Sequence, residues 1–322
     1  MNTLDYKILD LLEQGGFQRA GVLALKLGAS VQSIRRRINR LRSQDVIRII
    51  AVRDPLAFGY KGWAEIGLKI QLGYLDDVLR KLVENPRVYF VSKCFGEFDI
   101  WTSVLFETIE GLTWFVDSEL TRAPGIIGTE TMLLSCPRKY YHSLWPISAT
   151  NKTNDVTGCS SADIRRSQYV PDEIDSKIIS ILMQDGLIRS AALKERLGLG
   201  EGTIRKRVKN LLNHRLVSLE VIVNPEIVQY EVWATVALKT DGRYTHEVVD
   251  KVIENPAVHF ASLSLGRFNI MLSARFHNVD LLAKFTSVDL PAIRGVTSVQ
   301  SFIHSKPVKY YSIDLSHWNR RT

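Results

Sequence analysis

Along residues 4–14, the apolar side chains of Leu4, Ile8, Leu11 and Leu12 recur at the three-to-four-residue spacing of one helical stripe. A short second helix is expected over 20–27, where Val22, Leu23, Leu25 and Leu27 are apolar and Gly28 follows. Ser30 then stands as the N-cap of a third helix that runs to about Ser43, with Ile34, Ile38 and Leu41 on its buried side. Three short helices with a tight turn before the last form a helix-turn-helix pattern. The β-branched run VIRIIAV, 46–52, reads as a strand ended by Asp54-Pro55.

Past residue 60 the pattern changes. WAEIGLKI (63–70) alternates as a half-buried strand, and YLDDVLRKLVE (74–84) is an amphipathic helix closed by Asn85-Pro86. Residues 88–95 and 98–106 read as two strands around a turn containing Gly96. A second helix is expected over 110–120, and a last strand over 126–135 after Pro124-Gly125. The order βαββαβ predicts a four-stranded antiparallel sheet with both helices on one face, a ferredoxin-like sandwich. The other face needs a cover. Apolar Trp63, Ile100 and Trp101 in these strands predict that another copy of the same domain supplies it.

The whole pattern is written twice, at a constant offset of 170 residues. LDYKILDLLEQGG (4–16) matches IDSKIISILMQDG (174–186), SIRRRINRL (33–41) matches TIRKRVKNL (203–211), and ENPRVYF (84–90) matches ENPAVHF (254–260). FGEFDI (95–100) matches LGRFNI (265–270), and PRKYY (137–141) matches PVKYY (307–311). Without a gap, 43 of 138 aligned positions are identical. The expected fold class is therefore α+β, with two tandem modules. Each is a winged-type helix-turn-helix followed by a ferredoxin-like βαββαβ sandwich. The expected divisions are a first helix-turn-helix over 1–60, a first sandwich over 61–141, a linker over 142–170, a second helix-turn-helix over 171–230 and a second sandwich over 231–314. The linker is rich in Ser, Thr, Asn and Asp and has no periodicity.

Charge sharpens this picture. The net charge is +8, and it is uneven. Residues 1–60 hold ten basic against five acidic side chains, whereas residues 61–141 hold nine against eleven. A positive field confined to one segment suits a nucleic-acid footprint. No apolar stretch reaches the roughly 18 residues that span a bilayer, so no membrane partner is expected. The start, MNTLDYKILD, is not that of a signal peptide, and three widely spaced cysteines fit a reducing cytoplasm.

The third helix carries arginines at 35, 36, 37, 40 and 42. With Ile34, Ile38 and Leu41 inward, Gln32, Arg36 and Asn39 point away, and Ser33 and Arg40 lie beside them. Outward groups of this kind hydrogen-bond base edges, and flanking arginines such as Arg35 suit phosphates. Arg37 lies near the core flank, where an internal ion pair is its alternative. In the second copy Thr203, Arg205, Lys206 and Lys209 keep donors outward, but Gly200, Glu201 and Gly202 weaken the helix start and repel phosphate. A degenerate half retained for dimerisation is the alternative there. Because the two reading sets differ, asymmetric operators are expected.

Taken in this order, these motifs resemble the Lrp/AsnC (feast/famine) transcription regulators. The likeness rests on the helix-turn-helix, the SxxxIRRRIxRL-type third helix, the Asp-Pro after a short strand, the βαββαβ order, the Gly-Glu-Phe-Asp turn and the Pro-Gly before the last strand. Members usually carry one module per chain, and this chain carries two. The resemblance implies binding to double-stranded DNA, dimerisation through the βαββαβ domain, and an effector, an amino acid or similar small molecule, held at domain interfaces. It implies a homo-oligomer, a dimer or tetramer of two-module chains. It places the effector at Gly96, Phe98 and Asp99 and at their counterparts Gly266, Phe268 and Asn269. Glycine admits close approach of a ligand, and Asp99 suits an ammonium group. A plain hairpin turn for Gly96 and a turn-stabilising side chain for Asp99 are the alternatives. Arg267 and Asn269, in place of Glu97 and Asp99, break the equivalence of the two sites.

No enzyme is expected, and neither a cofactor nor a metal. The seven histidines lack metal-ligand spacing, and no Gly-rich phosphate loop or nucleophile elbow occurs. His259 stands where the first copy has Tyr89 and reads as a structural substitution. The sirohaem decarboxylases look like the same paired modules and form the alternative. The stretches VSKCFGEFDIW and ASLSLGRFNIM hold no matching histidine or arginine cluster.

Overall fold

The computed structural model describes residues 1–15, 17–140, 169–224, 232–310 and 313–314. Of the linker expected over 142–170, all but Tyr169 and Val170 lies outside the described residues. The chain divides into two units, residues 1–58 with 141–228, and residues 59–140 with 229–322. Like halves of the two copies thus cluster with like.

In the first unit, Ser30 starts the third helix as its composition demands, its hydroxyl accepting from the N–H of Ser33 at 3.2 Å. The first copy contributes α1 (Thr3–Gly15), α2 (Ala20–Leu27), α3 (Val31–Ser43) and β1 (Ile47–Arg53). A one-turn 3-10 segment, Leu56–Phe58, follows. The strand does not fold back on its own copy. It pairs antiparallel with its counterpart from the second copy, and Ile50 stands opposite Glu220. These two positions are equivalent in the repeat, so the pseudo-two-fold axis passes between them. The exchange is also one of cores. Val221 and Val223 pack with Ile8, Leu12, Ile34 and Leu41 of the first copy, and Ala51 packs with Ile178, Leu182 and Leu211 of the second. Gly186 sits where the strands approach. Its N–H donates to the Ile49 carbonyl at 2.8 Å, and an added Cβ would come within 2.9 Å of the Ile50 backbone.

The second unit begins with β2 (Gly62–Ile70), α4 (Leu75–Glu84), β3 (Val88–Phe95), β4 (Ile100–Phe106), α5 (Ile109–Trp114, continued by a π-helical turn, Phe115–Leu120) and β5 (Ile126–Tyr140). The second copy returns to the first unit with α6 (Glu173–Leu182), α7 (Ser190–Leu197), α8 (Glu201–Asn213) and β6 (Val217–Val223). It completes the second unit with β7 (Val232–Thr240), α9 (Thr245–Val252), β8 (Val258–Leu265), β9 (Ile270–Phe276), α10 (Val279–Lys284, then a π-helical turn, Phe285–Asp289), β10 (Val296–Tyr310) and the short β11 (Ile313–Asp314). Within each copy the strands are ordered as a ferredoxin-like sheet, β3-β4-β2-β5 and β8-β9-β7-β10.

The last strands are longer than the ten residues their apolar pattern suggested. Over Ile126–Leu134 β5 pairs with β2 of its own copy, and over Leu133–Tyr140 it pairs with β8 of the other. β10 repeats this with β7 and then β3. With both exchanges, and β10 paired to β7, the eight long strands form a closed cycle with no unpaired edge. The strand expected from residue 98 starts instead at Ile100, because Phe98 and Asp99 complete the turn, the Cys94 N–H reaching the Asp99 carbonyl at 2.9 Å.

The helix-free faces of the two sheets cover each other. Trp101 stacks on Phe302 with ring centroids 4.6 Å apart, and Trp63 meets Phe260 at 5.4 Å. Ile100 departs from expectation. Adjacent strand residues face opposite ways, so with Trp101 inside the sandwich Ile100 lies under the helices, in the core that holds Val88, Val91 and Leu112. Two polar clusters are enclosed. Glu65 accepts from the Ser103 hydroxyl at 2.8 Å and from the Trp101 Nε1 at 2.5 Å. Burial pushes its carboxyl up to about 8 against those two hydrogen bonds. His304 lies between the hydroxyls of Ser92 (2.7 Å) and Thr235 (2.8 Å), and burial lowers it to about 3, leaving it neutral. The repeat equivalents of Glu65 and His304 are Thr235 and Leu134, so this interior is not symmetric.

Candidate nucleic-acid interface and sensor turns

The two third helices, α3 and α8, bury Ile34, Ile38 and Leu41 and, in the second copy, Ile204 and Leu211. That packing turns Gln32, Arg35, Arg36, Asn39 and Arg40 to solvent, with Ser33 half-buried, and likewise exposes Thr203, Arg205, Lys206 and Lys209. Nine of the ten sequence candidates are therefore exposed, and Ser33 is partly covered.

Their electrostatic states differ. Arg37 is anchored inward, donating to Asp5 Oδ1 at 2.8 Å and Asn2 Oδ1 at 2.9 Å. Arg40 donates to Asp5 Oδ2 at 2.6 Å while remaining 46% exposed. Burial raises the Asp5 carboxyl, but the Asn2 N–H and the two guanidinium groups outweigh it and hold its pKa below the usual value. Arg42 crosses to Asp185 of the second copy at 3.0 Å. Of the five arginines in the run, only Arg35 and Arg36 make no ion pair among the described residues. In the second copy Arg207 repeats the inward anchor, donating to Asp172 and Asp175 at 2.9 Å each. Arg205 is engaged by Glu201 one turn before it, while Lys206 and Lys209 make no ion pair among the described residues. Gly200 offers no side-chain cap, which leaves α8 with a weaker start than α3.

One feature escaped the sequence reading. An open cleft of about 540 Å³ runs beside α3, walled by Phe17, Val22 and Ile38, and brings Arg19 next to Arg35 and Asn39. Arg19 precedes α2 and is exposed, as is its counterpart Arg189 before α7. The signal lies in the repeat, since Arg19 and Arg189 are identical across it, but both stand outside the third helices that carry the arginine pattern.

In the second unit, Gly96 and Gly266 adopt φ of 121° and 135°, conformations that favour glycine. Phe98 and Phe268 point into the sandwich interior, 3% and 2% exposed. Asp99 Oδ2 accepts from the Ile70 N–H at 2.7 Å, and Asn269 Oδ1 accepts from the Thr240 N–H at 2.9 Å. The two turns thus share one brace between side chain and backbone, and the Asp-to-Asn difference leaves it intact. Turn stabilisation, rather than a free carboxylate, is what the geometry of Asp99 displays. Cys94 lies at the same turn. Burial, with the nearby Asp99 charge, pushes its thiol up to about 12, which disfavours the reactive thiolate.

Residues 64–142 and 233–313 each match the Lrp/AsnC ligand binding domain. Residues 172–212 match the AsnC-type helix-turn-helix domain, and residues 1–48 match a winged helix-turn-helix DNA-binding domain. The HTH-type transcriptional regulator FL11 of Pyrococcus furiosus is 29% identical over 133 residues, which span 41% of this chain and 87% of that protein. Its namesake in Pyrococcus horikoshii is 29% identical over 135 residues, 42% of this chain and 89% of that protein. Each relative is thus about one module long. Over the whole chain, the crystal structure of the siroheme decarboxylase NirDL superposes with a TM-score of 0.59, covering 96% of this chain and 93% of that one. At 15% identity this likeness is one of fold.

Proposed function

Because the chain belongs to the Lrp/AsnC family of transcription regulators, we propose that it grips double-stranded DNA as a pseudo-dimer within one chain, α3 and α8 each reading half of an asymmetric operator. The observation that carries this reading is the pair Arg36 and Lys206. They occupy equivalent outward positions, both are exposed, and both lack an ion pair among the described residues. One can form a bidentate contact to guanine and the other offers a point charge, so the two halves present different chemistry to a groove. Gln32 against Gly202 and Asn39 against Lys209 deepen the difference. Arg35 and Arg205 are identical and suit the sequence-independent phosphate contacts. Arg205 must leave Glu201 to make one, which agrees with a weaker second reader.

An amino acid or related small metabolite, bound by the paired ligand-binding domains, is the effector in this reading. Chains associate further into dimers or tetramers, and the protein works in the cytoplasm. Footprinting on the DNA upstream of its own gene tests the proposal. Protection of two unlike half-sites about one helical turn apart is expected. A perfect palindrome with equal half-site affinities overturns the asymmetry.

A second reading starts from the likeness in fold to a siroheme decarboxylase, and in it the double module serves as a scaffold for tetrapyrrole chemistry. Titration with an iron tetrapyrrole, followed by absorbance, separates the two. A saturable spectral shift supports the enzyme. Its absence, together with a specific gel shift, supports the regulator.

A further inference from the structure

Where the Gly96 and Gly266 turns meet, four side chains form one network. Arg267 Nη1 donates to both carboxylate oxygens of Glu97 at 2.8 Å and to Glu130 Oε2 at 3.2 Å. Its Nη2 donates to Gln300 Oε1 at 2.9 Å, and Gln300 Nε2 donates in turn to Glu97 Oε2 at 2.7 Å. The Gln300 hydrogen bond and then the Arg267 guanidinium hold the Glu97 carboxyl below its ordinary value.

The membership of this network is its main feature. At the repeat offset of 170, Glu97 is the equivalent of Arg267 and Glu130 is the equivalent of Gln300. All four residues are therefore two positions seen twice, gathered around the pseudo-two-fold axis. In a true two-fold pair both partners bring the same positions to the axis. Two first modules joined this way would bring together four carboxylates and no donor. Two second modules would bring together two guanidinium groups and two amides and no carboxylate. Only a first module against a second sets carboxylates against a guanidinium.

We propose that Glu97, Glu130, Arg267 and Gln300 are a pairing code, which admits a first module against a second and rejects either module against its own kind. The partner that this surface fits is the complementary half of the chain. Rejection works through like charge and unpaired groups, as charged positions do in other self-sorting interfaces. The code does not by itself tell a module of the same chain from that of another. The tether does so, by raising the local concentration of the correct half. The proposal rests on the second unit alone and stands apart from the DNA-binding reading.

The forbidden pairings can be built inside the intact chain. R267E/Q300E reproduces the contact between two first modules, and E97R/E130Q reproduces that between two second modules. The combination of all four substitutions reverses the code. Thermal unfolding of the full chain is followed at low salt and in 0.5 M salt. Each imitation should lower the transition midpoint by about 3–6 °C at low salt. The loss should shrink in 0.5 M salt, where partly exposed charges are screened. The reversed code should recover at least half of the loss. Imitations that unfold at the wild-type temperature overturn the proposal, as does a reversed code no better than either. Should an imitation fail to fold, a folded reversed-code variant still supports the code. Failure of both variants overturns it, because the positions would then reject any change irrespective of charge.

Discussion

The Arg37 guanidinium lies 2.8 Å from the Asp5 carboxylate, and Arg207 lies 2.9 Å from Asp175. One buried acid and one arginine thus staple the third helix to the first in both copies. The arginine run of α3 is divided between holding the fold and facing solvent. Asp5→Asn leaves Arg37 half-buried without its counter-charge and should destabilise the first unit by about 2–4 kcal/mol in urea unfolding. Because the Asp5 pKa is lowered in the fold, the stability it contributes is in place above the ordinary carboxylate value and is lost as pH falls through the folded one. The same variant should therefore flatten part of the acid limb of the stability curve.

Arg36→Ala should relax base preference at one operator position by about 1–3 kcal/mol, because a base-edge contact carries sequence information. Arg35→Ala and Arg19→Ala should instead weaken binding to every sequence and reduce the slope of log affinity against log salt by about 1 each. Anisotropy titrations on specific and random duplexes across a salt series tell these outcomes apart. Unchanged binding in all three variants removes α3 from the interface.

Gly202 lies in the first turn of α8, and a Cβ added there meets nothing within 4 Å. Gly202→Ala should stabilise the first unit by about 0.5–1 kcal/mol, since glycine loses the most backbone freedom on entering a helix. Urea unfolding measures the gain. A variant that is more stable yet binds DNA less tightly would place the backbone of α8 against the duplex at this residue.

Glu65 sets the response to alkali. Its folded pKa of about 8 lies above the ordinary 4.5, so the folded state holds a proton that the unfolded chain has released. The stability this group contributes is complete below about 4.5 and is lost as pH rises toward 8, on the order of 4 kcal/mol over that window. Glu65→Gln, which cannot ionise, should remove this slope in unfolding measured between pH 5 and pH 8.5. A wild-type curve no steeper than that of the variant would show that the carboxylate is solvated.

The repeat, the helix triplets and the βαββαβ order were legible because each rests on local periodicity or on a constant offset. What chains of this kind conceal is pairing. Residues 49–52 are apolar on both faces, so their pattern says strand but cannot say that the neighbour lies 170 residues away. The same holds for the last strands. PRKYY and PVKYY are recognisable as copies, yet nothing local shows that each crosses to the other sheet. The hydrophobicity of Ile100 alone does not set its face; its phase relative to Trp101 does, and it puts Ile100 under the helices. The outward set on α3 followed from helix geometry alone. That Arg40 and Arg42 are engaged by Asp5 and Asp185 depends on acids distant in sequence.

Ile50 faces Glu220 across the β1–β6 ladder, at the point where a dimer of identical chains would set a residue against itself. In such a dimer every mutation on the axis arrives doubled, and a change that is harmless once can be ruinous twice. Joining the copies in one polypeptide lifts that restriction. Each copy can be altered singly, as at Glu65 and His304, whose repeat equivalents are Thr235 and Leu134. A duplicated gene of this kind lets an inherited symmetry drift into a division of labour one substitution at a time.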